Sequence, residues 1–139
     1  MTFDIIEATI DDVHAAYGAG ELTCAELVER YLDRIAAYDE RGPELNSIIT
    51  VNDNALDRAA ELDEAFEKDG FVGPLHGITF AVKDQVETAE VTTTFGSEAF
   101  ADYRHAEDAT FVTKLHDAGA VVLAKTNLPD WATSWFGYS

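Results

Sequence analysis

The segment Ala120-Val-Val-Leu-Ala124 constrains this chain most, because it is apolar without interruption and has no face to offer water. Such a run suits a strand covered on both sides, and a helical pattern over residues 109–118 leads into it through Gly119. A second strand pattern, residues 78–83, stands before that helix. Strand, helix, strand in this order predicts a layered α/β fold with at least some parallel pairing.

The first half reads as helical. Thr9 is placed as the N-cap of a short helix over residues 9–17, with Asp11 and Asp12 in the first turn, where negative charge suits the helix dipole. Gly18 and Gly20 end it. Thr23-Cys-Ala-Glu26 is a capping box that opens a second helix. Its apolar positions Leu27, Val28, Tyr31, Leu32, Ile35 and Tyr38 recur at helical spacing and are expected to face a core, until Gly42-Pro43 closes the segment. Ser47-Ile-Ile-Thr-Val51 reads as a short strand. Residues 54–68 read as a third helix with Ala55, Leu56, Ala59, Leu62 and Phe66 on one side and acids on the other. Residues 88–104, rich in Thr, Gly and Ser, show no sustained period and predict a long connection, often a functional one. Asn127 is expected to cap a short helix through Trp131, with Pro129 in its first turn.

Charge narrows the function classes. Against 27 acidic residues stand 9 basic ones, a formal net charge of -18. A nucleic-acid backbone or an anionic membrane surface would be repelled. The acids are dispersed along helical stretches and read as solvated surface, with a composition like that of proteins adapted to high salt. Cys24 is the only cysteine, so no internal disulfide can form, and a small buried helical thiol is expected. Neither a signal-peptide pattern nor an apolar run of about 20 residues is present. A cytoplasmic protein is expected.

Several candidate sites fall away. Gly119-Ala-Val-Val-Leu-Ala-Lys125-Thr126 nearly fits a phosphate-binding loop, but its central residues are the strand itself and not a glycine-rich cradle. His14, His76, His105 and His116 lack metal-ligand spacing, and no metal or other cofactor is expected. Asp11 with Asp12, and Asp63 with Glu64, are helix neighbours that point apart and read as solvated. Lys83 differs. Alternation places Ile78, Phe80 and Val82 on one face of the strand and Thr79, Ala81 and Lys83 on the other, so small neighbours leave room around an ammonium at the strand's carboxyl end.

Gly73-Pro-Leu-His-Gly-Ile-Thr-Phe-Ala-Val-Lys83-Asp84, then Thr93-Thr94-Phe95-Gly96-Ser97, then Gly119 to Asn127 followed by Leu-Pro-Asp-Trp131, resemble amidase-signature enzymes in order and spacing. Leu45-Asn46-Ser47-Ile48-Ile49 resembles the family's N-terminal region, so the likeness covers nearly the whole chain. Thr79 stands where a proline is common in the family, and Ala124 where a glycine is. The resemblance implies the N-terminal part of an α/β/α layered fold with a mixed sheet, with a helical lead-in over about 1–70 and the lysine-bearing α/β unit over about 71–139. It also implies hydrolysis of non-peptide carboxylic amides by a Ser, cis-Ser, Lys triad, with a small-molecule amide as substrate. In that scheme Lys83 takes the nucleophile's proton through the bridging serine and returns it to the leaving amine. Such a lysine has to be neutral at rest, a state that burial on a dry sheet face favours. Asp84, pointing to the opposite face, is expected to leave it unpaired. Thr94 and Ser97 are candidate substrate contacts by the same resemblance.

The Gly/Ser-rich segment that bears both serines in the family lies further along than residue 139, and neither Ser134 nor Ser139 has the flanking glycines to replace it. The aromatic finish Trp135-Phe-Gly-Tyr-Ser139 is unusual for a domain end, and a truncated chain is expected. Its partner would then be the remainder of a split or longer amidase. The alternative is an inactive α/β fragment that binds a partner through uncovered surface.

Overall fold

The computed structural model describes residues 3–133. Ser134, Ser139 and the aromatic finish lie outside the described residues. Helices α1 (Ile10–Ala19) and α2 (Cys24–Arg34) each open with a capping box, Thr9 with Asp12 and Thr23 with Glu26. At both, two orphan backbone donors are satisfied reciprocally. α1 ends at Gly20, whose φ of 68° is the left-handed conformation that closes a helix cheaply only in glycine.

Strand β1 (Ile48–Val51), helix α3 (Ala55–Asp69), strand β2 (Thr79–Lys83), helix α4 (Thr110–Asp117) and strand β3 (Val121–Thr126) complete the order. The sheet runs β1-β3-β2, with β2 parallel and β1 antiparallel to the central β3. A mixed sheet is therefore present, as expected. Val121, Leu123 and Ala124 pack with α1, α2 and α3 in the larger core, whereas Val122 joins Val82 and Val112 of α4 on the other side. The unbroken apolar run is thus explained by two cover layers.

Several expectations are corrected. Tyr38 does not face the core and is 49% exposed. After Arg34 the chain winds through a π-helical turn, Ile35–Asp39, and the wider turn carries Tyr38 off the stripe and under the Arg34 guanidinium, 5.2 Å away. Leu56 is exposed, while Ala55, Ala59 and Leu62 are buried. Asp63 is not simply solvated, because its carboxylate accepts from the Cys24 and Ala25 amides at 2.7 and 3.0 Å and so ties α3 to the positive end of α2. Ile78 packs into the larger core, apart from Phe80 and Val82. In place of a helix after Asn127 there is a single tight turn, Asp130–Ala132, in which Trp131 takes a φ of 53° that no right-handed helix allows.

Candidate active site

β2 and β3 end side by side, with Lys83 opposite Thr126 and Val82 opposite Lys125. Two lysines thus close neighbouring parallel strands on opposite faces of the sheet. The register slips between Phe80 and Ala81, where β3 carries one extra residue, Leu123. Strict alternation from Val122 would turn Lys125 toward the larger core; the bulge turns it onto the Val82 face instead.

On one face, the Lys83 ammonium donates to the Asn127 carbonyl. Asn127 is held in turn by its own amide to the Ser47 carbonyl at 2.7 Å and by its side chain to the Asn46 carbonyl at 3.2 Å. Asn46 adopts a φ of 52°, strained for a side-chain-bearing residue though tolerated best by Asn and Asp. Lys83, Asn46, Ser47, Asn127 and Pro129 line an open cavity of about 480 Å³ whose only charged wall is the lysine. The burial expected around Lys83 is not found. Its side chain is exposed, as is Ala81, because among the described residues β2 is an edge strand and no element covers that end of its face.

On the other face Val82, Asp84, Thr93, Thr94 and Lys125 are buried. The Lys125 side chain has 0% exposure, and its ammonium donates to the Val86 carbonyl and Thr93 Oγ1, both at 2.7 Å, and stands 3.5 Å from the Asp84 carboxylate. Burial pushes the Lys125 pKa below the usual lysine value, and the adjacent Asp84 charge works in the other direction. Asp84 also accepts from the Thr94 amide at 3.1 Å, from the Thr94 hydroxyl, and from the Gly96 amide at 3.4 Å. Asp84 therefore turns away from Lys83, as alternation along the strand predicts, but into an ion pair that alternation does not predict. This knot fastens the connection after β2. Gly96, at φ 70°, lies so close to Leu128 that a Cβ there would meet its carbonyl oxygen at 2.5 Å. The Trp131 amide donates to the Phe95 carbonyl at 2.8 Å, and the two rings stack.

The structure separates the residues singled out from sequence. Thr94 gives its hydroxyl to Asp84, and Ser97 opens a short turn in which its carbonyl accepts from Phe100; neither lines the Lys83 cavity. Sequence reasoning passes over Lys125, which enters it only as the lysine of a false phosphate loop. The available signal is a cation at the end of a run buried on both faces, which requires a counter-charge. Cys24 comes within 3.5 Å of His76 Nε2, the spacing of a thiol–imidazole pair. Burial and Asp63 push the thiol up to about 12, and burial pushes His76 down, so the pair rests as neutral thiol and neutral ring, far from the thiolate a nucleophile needs. Among the described residues no group of His, Cys, Asp and Glu could hold a metal ion, and no helix is long and apolar enough to cross a membrane.

Known proteins share both the sequence and the shape. The family profile described as Amidase matches residues 26–138. A glutamyl-tRNA(Gln) amidotransferase subunit of Halorhodospira halophila is 39% identical over 137 residues, which is 94% of this chain and 28% of that protein. The native peptide amidase of Stenotrophomonas maltophilia superposes with a TM-score of 0.90 at 44% identity, over 94% of this chain and 27% of that one. An amidase family protein from Bacillus anthracis gives 0.86 at 36% identity, over 91% and 25%. The chain spans little more than a quarter of the relatives it matches.

Proposed function

This chain belongs to the amidase family, and from that premise we propose that it supplies the proton-relay lysine, Lys83, of a site that hydrolyses a carboxylic amide C–N bond. The observation that supports the reading is the placement of Lys83. It is the one charged group on an open polar cavity at the carboxyl ends of two parallel strands, where α/β sheets gather their chemistry. Because Asp84 is engaged by Lys125 and Thr94 on the far face, the ammonium contacts a neutral carbonyl and not a carboxylate.

In the amidase scheme the nucleophilic and bridging serines come from the remainder of a longer or split enzyme. Lys83 accepts the proton released as the nucleophile attacks the carbonyl and returns it to the departing amine. One solved relative is a peptide amidase, so the proposal is for carboxylic amides without the restriction to non-peptide bonds.

The test uses an enzyme in which this chain is joined to, or mixed with, the serine-bearing remainder. Lys83→Ala is expected to lower kcat on a primary amide at least about 10²–10⁴-fold, and Lys83→Arg to fail as badly, because a guanidinium does not give up its proton. Turnover retained in either variant would refute the assignment. The 139-residue chain without that remainder is expected to take no label from a fluorophosphonate.

A further inference from the structure

We propose that Asn127 is the positioning residue of Lys83: tied to the 46–47 loop by its backbone amide and its side chain, it holds in place the carbonyl that receives the Lys83 ammonium. The inference rests on the reading of Lys83 as the relay, and it adds the group that sets where the amine stands.

Asn127 follows β3 directly and sits between the ends of the other two strands, because β3 is central. Each of its four polar groups is engaged. On the β2 side its carbonyl accepts from Lys83. On the β1 side its amide donates to the Ser47 carbonyl at 2.7 Å, one rung beyond the last pairing, Ile48 with Thr126. Its Oδ1 accepts from the Leu128 amide at 2.9 Å, and since that contact needs an oxygen, the other arm is the NH₂, which donates to the Asn46 carbonyl at 3.2 Å. A short side chain with one acceptor and one donor performs both tasks. Aspartate lacks the donor, alanine lacks both, and glutamine is a methylene too long for the ring to Leu128.

The loop that holds Asn127 is itself anchored. Asp39, only 6% exposed, closes the π-helical turn, and its carboxylate accepts from the Ser47 amide at 2.7 Å, the Ile48 amide at 3.0 Å and the Ser47 hydroxyl. Its backbone carbonyl accepts from the Asn46 amide at 3.2 Å, which helps to keep Asn46 at its φ of 52°. A continuous run of hydrogen bonds thus leads from a buried carboxylate through the 46–48 loop to Asn127 and on to Lys83. The Lys83 side chain has no other hydrogen bond or ion pair among the described residues. A flexible stem on an open face therefore keeps one position only while that carbonyl keeps its own.

Two measurements test this. In the 139-residue chain, isotope-labelled at lysine Cε, NMR relaxation gives an order parameter for each of the four lysines, assigned by substitution. Lys83 is expected to be more ordered than exposed Lys68 and Lys114, to fall to their level in Asn127→Ala, and to fall part of the way in Asp39→Asn, where an NH₂ faces a backbone donor. In the enzyme joined to the serine-bearing remainder, Asn127→Ala is expected to lower kcat about 10- to 100-fold with KM little changed, because a displacement of about 1 Å at a reacting group has effects of that size. Val112→Ala, which empties part of the core beneath α4, is the control for general destabilisation and should move neither reading.

A Lys83 as mobile as Lys68 in the parent, a Lys83 as ordered in Asn127→Ala as in the parent, or a kcat loss matched by Val112→Ala would overturn the proposal. Asn127→Ala and Asp39→Asn each suffice where the other does not fold. The order parameter involves no turnover. Turnover kept in Lys83→Ala would therefore sink the relay reading, while the placement of Lys83 by Asn127 is judged on the order parameter.

Discussion

Lys83 and Lys125 end neighbouring strands of one sheet, yet they live in different solvents. Lys83 looks into an open cavity and touches a backbone carbonyl, whereas Lys125 is wholly buried among three oxygen acceptors and a carboxylate. A lysine whose side chain reaches water needs no counter-charge from the fold. An ammonium out of water has to be paired, and once paired it becomes structure. The residue type is the same in both places, and the difference is which side of the sheet the chain built up.

The largest effect expected to break this contrast is on stability. Lys125→Met strands the Asp84 carboxylate in the interior and is expected to cost about 3–5 kcal/mol in urea unfolding. Lys83→Met should leave the urea midpoint where it was. Equal losses would mean that the two lysines are not divided as described. A smaller step concerns the two loop residues that resemble substrate contacts. Thr94→Val keeps the shape and the amide but removes the hydroxyl that Asp84 uses, at an expected cost of about 1–3 kcal/mol. Ser97→Ala removes no hydroxyl contact of that kind and should stay within about 0.5 kcal/mol.

The pH dependence sharpens the comparison further. The folded-state value of Lys125 lies below its ordinary 10.5, so between the two values the unfolded chain binds more protons than the native one. Stability from this group therefore rises with pH up to 10.5 and is lost as pH falls through the folded value. The stability difference between parent and Lys125→Met, measured by urea unfolding from pH 8 to 10.5, should widen as pH rises; a constant difference would contradict the burial of the charge. The smallest effect is ionic. A net charge of -18 should make molar salt raise the melting temperature. The increment should match in parent and Lys125→Met, because ions screen the surface and not the buried pair.

Much of this is legible before folding. The Thr23–Glu26 capping box and the Thr9 cap can be read as local patterns, because a hydroxyl and a carboxylate three residues apart need only their own turn to satisfy each other, and the structure adds that Asp12 completes a second box at Thr9. The central strand is legible from its apolar run, and the position of Lys83 at a strand end from simple alternation. Tyr38 is misread because periodicity assumes one helical pitch, and the π-helical turn after Arg34 changes it. The cap supplied by Asp63 is invisible, since its partners lie on another helix.

By itself, then, the sequence determined the order of elements, the strand that needs two covers, and a lysine at the carboxyl end of β2. Only the tertiary structure decided that Lys125 faces away from the larger core, because a bulge opposite Phe80 and Ala81 exists only when β3 is paired with β2. It likewise decided that Asp84 pairs with that lysine and not with its own neighbour. The physical reason is one of range: caps and alternation are set within a turn or a strand, while burial, counter-charge and register are properties of what the rest of the chain brings alongside.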